Sequence, residues 1–66
     1  MTLDDRIFLL QRTTELPNTI KQRLVEADVA YLQDREAEAT RIVEEIETWC
    51  ENNGVSISNP FGYLAA

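Results

Sequence analysis

From Asn18 to Asn53 the chain runs for 36 residues without a glycine or a proline. Those two residue types are the strongest local breakers of a helix. Ile20, Leu24, Ala27 and Tyr31 form one apolar stripe with spacings of 4, 3 and 4. Ala39, Ile42, Ile46 and Trp49 form another with spacings of 3, 4 and 3. The stripes are offset by one residue in heptad register, yet at 100° per residue they lie within about 50° of each other on a straight helix. The run therefore predicts one long helix over about 19–53, roughly 34 residues and near 50 Å, with a slowly drifting apolar face. The competing reading breaks it near Gln33-Asp34, with Asp34 as a new N-cap and three helices in all. That reversal needs a loop, and Gln33-Asp34-Arg35-Glu36 supplies neither Gly nor Pro.

A shorter helix over about 3–15 precedes it. Thr2 before Leu3-Asp4-Asp5 has the form of a capping box with an acid at the third helical position. Leu3, Ile7 and Leu10 fall at helical spacing, and Phe8 and Leu9 make the middle apolar on nearly all sides. Pro17 stops this helix, and Asn18 or Thr19 is placed to cap the next. At the far end, Gly54 suits the left-handed residue after a helix, with Val55 packing back behind it. The tail, 54–66, is non-helical: Val55-Ser56-Ile57-Ser58 alternates, and Asn59-Pro60-Phe61-Gly62 reads as a turn. Residues 55–66 hold no charged side chain, so Phe61, Tyr63 and Leu64 are expected to be ordered against the chain's own dimer or a partner's groove.

The 66 residues make one small helical domain, 1–66. For a chain this size, burial and the entropy of ordering are each on the order of 100 kcal/mol and nearly cancel. One cysteine closes no internal disulfide, and without histidine a zinc cluster has no ligand set. Oligomerisation is the remaining support. A hairpin of the two helices leaves Phe8, Leu9, Ile42 and Trp49 uncovered, and pairing two hairpins into an antiparallel four-helix arrangement covers them. The expected fold is thus all-α, and the expected partner or dimer interface comprises Phe8, Leu9, Ile42, Ile46, Trp49, Phe61, Tyr63 and Leu64. The architecture is similar to that of small acidic plasmid-encoded hairpin dimers, though no motif links the chain to them.

Net charge is -6, and it is uneven. Residues 1–33 hold five acids and four bases; residues 34–66 hold seven acids and two bases. This balance disfavours nucleic acid and anionic membrane as partners. The run Ile7-Phe8-Leu9-Leu10 is far too short to span a bilayer, and the expectation is a soluble, cytoplasmic protein. Glu44, Glu47 and Glu51 share one helix face, with Arg41 placed to pair with Glu38 or Glu45. A solvated face is the plain reading; an acidic docking face for a basic partner and a hard-cation site are the sharper ones. Glu44-x-x-Glu47 resembles half of the paired motif of helical nucleotide pyrophosphohydrolases, and the second acidic pair is missing. Cys50 has no histidine base to activate it, no hydrolase triad is available, and two glycines build no phosphate loop.

Two short patterns resemble known signals. Asn59-Pro60-Phe61 is similar to a tripeptide bound by endocytic adaptor domains, and Leu64-Ala65-Ala66 to the end of a bacterial degradation tag. A plain turn and a packed terminus account for both. The function expected by elimination is a non-enzymatic protein–protein interaction module: a regulator, inhibitor or adaptor with no cofactor. The alternative is a structural subunit of a larger assembly, such as a virion or a multi-protein complex.

Overall fold

The long Gly- and Pro-free run reverses direction at Asp34. In the computed structural model, which describes residues 2–58, the chain forms three helices: α1 Leu3–Gln11, α2 Asn18–Leu32 and α3 Glu36–Asn52. The all-α class is as expected, with no strand among the described residues. The two-helix hairpin is not, because the helix expected over 19–53 is two helices packed on each other. The longest dimension of the molecule is 29 Å, too short for the continuous helix of about 50 Å.

Backbone hydrogen bonding explains the break. Asp34 takes a left-handed conformation, φ 61°. The Arg35 N–H then donates to the Ala30 carbonyl at 2.8 Å, and the Asp34 N–H to the Tyr31 carbonyl at 3.2 Å. This pair of bonds is a Schellman closure, which satisfies carbonyls that the end of α2 would leave orphaned. Asp34 is therefore not an N-cap. It follows the C-cap Gln33, and α3 starts from Arg35 without a side-chain cap. The same closure ends α3: Gly54 has φ 67°, and the Val55 N–H donates to the Cys50 carbonyl at 2.9 Å. Glycine is the usual occupant of that position because it has no Cβ to clash; Asp is among the few other residues that tolerate it.

The other helix ends also follow from local chemistry. Thr2 Oγ1 accepts from the Asp5 N–H at 3.2 Å, and the Asp5 carboxylate accepts from the Thr2 N–H at 3.3 Å, so the capping box is complete. Helix α1 ends at Gln11 rather than near residue 15. Beyond it, the Thr13 N–H bonds to the Leu10 carbonyl in a tighter turn, and the Thr13 hydroxyl donates to the Leu9 carbonyl at 3.0 Å. Neither Asn18 nor Thr19 caps α2. The N-cap is Pro17, whose carbonyl accepts from Ile20 and Lys21.

Helices α2 and α3 run antiparallel, for Arg23 reaches Glu45, each eleven residues from Asp34. Helix α1 packs mainly on α2 and meets α3 more lightly. Ile7 and Leu10 of α1 join Leu24 and Ala27 of α2 and Ile42, Val43, Ile46 and Cys50 of α3 in one core. Leu16, in the α1–α2 connection, is buried there too. The segment after α3 returns over this core. Val55 and Ile57 pack against it while Ser56 between them is exposed, which is the alternation read in the sequence. Thr13 is the one buried polar residue among those described, and its oxygen accepts from the Ser58 N–H at 3.0 Å. No helix among the described residues is long and apolar enough to cross a membrane.

Asp34→Val places a branched Cβ in the left-handed region and is expected to lower stability by about 1–2 kcal/mol in urea unfolding. Asp34→Gly is expected to equal or exceed the parent, since it relieves the same clash. Thr13→Val keeps the shape but removes both hydroxyl bonds. It is expected to cost roughly 1–3 kcal/mol by the same measurement, because the Ser58 N–H loses its acceptor.

Candidate functional site

The face of the α2–α3 pair near Ile20 and Trp49 carries a groove of about 560 Å³. Its apolar lining is Ile20 from the first turn of α2 with Ile46 and Trp49 from the second half of α3. Ile46 is buried, while Ile20 and Trp49 are half-buried and present apolar surface. Its polar lining is Arg23, Arg41, Glu44, Glu45 and Thr48. The antiparallel register set at Asp34 brings the start of α2 beside the end of α3, and that juxtaposition makes the groove.

Charges around it are partly committed. Arg23 bridges the helices to Glu45 and also reaches Glu26 on its own helix at 3.2 Å. Arg35 pairs with Glu38. Arg41, expected to pair with Glu38 or Glu45, has neither, because other arginines hold both carboxylates; it makes no ion pair among the described residues. Glu44 is exposed at the edge of the groove. The groove can thus seat an apolar group flanked by Arg41, which makes no ion pair among the described residues, and by the exposed Glu44 carboxylate.

The acidic trio divides. Glu47 turns toward α1 and grips Arg6 with both oxygens, at 3.1 Å to Nε and 2.5 Å to Nη2. That hydrogen bonding raises the Arg6 pKa from its ordinary value, against the desolvation of partial burial, and the charge of Glu44 adds to the rise. Glu51 is exposed. No group of three metal-ligating side chains converges among the described residues. Glu44, Glu47 and Glu51 are therefore an exposed charge, half of an inter-helix ion pair and another exposed charge.

The expected interface residues divide as well. Leu9, Ile42 and Ile46 are buried inside the single chain. Ile42 and Ile46 belong to the core that the three helices share. Phe8 is 37% exposed, with the Arg12 guanidinium 5.6 Å from the centre of its ring. Trp49 lies in the groove. Phe61, Tyr63 and Leu64 lie outside the described residues. Sequence reasoning missed Ile20, Arg23 and Thr48 as neighbours of Trp49, since their proximity depends on the reversal. It also missed that Val25, Val29 and Leu32 on α2 are exposed; their spacings of 4 and 3 were a usable signal.

No family model, curated protein or solved structure matches this chain.

Cys50 is buried in the core, and burial, with the charge of Glu47 adding, pushes its thiol pKa up. A protonated, covered thiol is a poor nucleophile. Labelling of native protein by a disulfide reagent is expected to proceed only through unfolding. Its rate should rise with denaturant in step with the loss of helix seen by circular dichroism; fast labelling in native buffer would contradict the buried placement.

Proposed function

We propose that this chain is a non-enzymatic protein-interaction module, a regulator, inhibitor or adaptor of the cytoplasm, whose α2–α3 groove receives an apolar side chain of a protein partner. The observation that carries this reading is Trp49, held half-buried at an apolar groove beside the exposed Arg41 and Glu44. Tryptophan in a partly enclosed groove is the residue type that most often dominates binding energy at protein interfaces. Helix α3 carries six Glu against Arg41 alone, a net charge of -5. A charge of that sign along one helix steers a basic partner toward the groove and speeds encounter. The alternative, a structural subunit of a larger assembly, draws on the apolar side chains left exposed on α2.

The test compares capture of native-host proteins by the parent chain and by Trp49→Ala, followed by titration of each purified candidate. Trp49 is the only tryptophan, so its emission reports occupancy of the groove directly. Trp49→Ala is expected to weaken binding by about 2 kcal/mol or more, roughly 30-fold in Kd, with the helical circular dichroism unchanged. Candidates that bind both proteins equally, without moving the tryptophan emission of the parent, would overturn the groove as the docking site.

A further inference from the structure

Exposed apolar side chains line up on one face of α2. Val25, Val29 and Leu32 are 62%, 41% and 72% exposed, and spacings of four and three put them side by side on the helix surface. None of the three lines the groove that holds Trp49. An apolar stripe of this kind marks a contact surface, and the charges around it point to what it contacts.

Helix α2 carries Lys21, Arg23, Glu26 and Asp28, and so is neutral in a chain of net charge -6. Two copies repel each other through α3 and approach with least repulsion through α2. The order of charges along α2 is base, base, acid, acid. Lys21 and Asp28 flank Val25 on the side facing α1; Arg23 and Glu26 flank it on the side facing α3. Both pairs are centred on the same point of the helix, between Leu24 and Val25. A two-fold axis near that point sets Lys21 of one copy opposite Asp28 of the other, while Arg23 and Glu26 on the α3 side are already paired with each other. Lys21 and Asp28 make no ion pair among the described residues, so both charges are open to a partner.

We propose that two copies of this chain pair through the outer face of α2, antiparallel across a two-fold axis near Val25. Lys21 of each copy faces Asp28 of the other. Leu32 covers the start of α2 in the second copy, and Val25 packs at the centre. This dimer differs from the four-helix arrangement expected from the sequence, since none of its contacts uses Leu9, Ile42 or Ile46. The helix is about 22 Å long, so the interface is small and the dimer reversible and concentration-dependent.

Sedimentation equilibrium of the full chain, from micromolar to millimolar concentration, tests this. The parent is expected to show a monomer–dimer equilibrium. Lys21→Asp sets acid against acid in the pair, and Asp28→Lys sets base against base; each is expected to lose the dimer while keeping its helical circular dichroism. The double variant Lys21→Asp/Asp28→Lys restores opposite charges and should recover it. An equimolar mixture of the two single variants should form a heterodimer. Leu32→Asp is expected to remain monomeric. A parent that stays monomeric throughout overturns the proposal, as does a dimer that survives Leu32→Asp or a double variant that behaves like the singles. If Leu32→Asp instead lowers the melting temperature of a monomeric parent, the stripe is covered within its own chain and the proposal also fails.

Discussion

The left-handed turn at Asp34 is the constraint on which the rest depends. One residue with φ 61° and two backbone hydrogen bonds convert a 36-residue helical run into two antiparallel helices. That reversal sets the register: Arg23 opposite Glu45, Ile20 beside Trp49. It also decides which apolar residues face inward, because each helix can bury a stripe only against the other. Helix α1 then closes the open side, with Ile7 and Leu10 in the core and Arg6 tied to Glu47. Every feature of the groove follows from where the chain turned.

The enclosure of the core follows from the same geometry. A single straight helix with a short one beside it would leave large apolar residues in water and force association for stability alone. Three helices enclose Ile42, Val43 and Ile46 within one copy. Among the described residues, that core is built within one copy. Among the described residues the surface keeps an aromatic in a groove on one side, an apolar stripe on neutral α2 on another, and Phe8 on α1.

Much of the local structure was legible in the sequence. Thr2 and Asp5 form the capping box their spacing announced, and Gly54 and Val55 close α3 as their chemistry required. The reversal was not legible by the same rule, because Asp34 does the work that Gly54 does twenty residues later, and aspartate is far commoner in other settings. A trace of it was present. The stripe through Ile20 to Tyr31 and the stripe through Ala39 to Trp49 are offset by one residue, which is the mark of two helices rather than the drift of one. The early end of α1 was not legible because it depends on Thr13, whose partners are Leu9 on α1 and Ser58 at the other end of the described chain. The groove was invisible for the same reason: Trp49 was identified, but Ile20 and Arg23 reach it only once the chain has turned.

The bond from Ser58 to Thr13 spans 45 residues, and the Arg6–Glu47 pair spans 41. The α2–α3 turn, by contrast, closes over a handful of residues. Short closures form early and long ones late, because the entropy of bringing distant segments together must be overcome before their contacts contribute. Arg6 within α1 and Thr13 just past it are held by contacts of the long kind, while the packing of α1 on α2 closes over the short connection between them. Without residues 55–58 the end of α1 has no strap from Ser58. A change at residues 55–58 is therefore felt at the end of α1, at the far end of the described sequence.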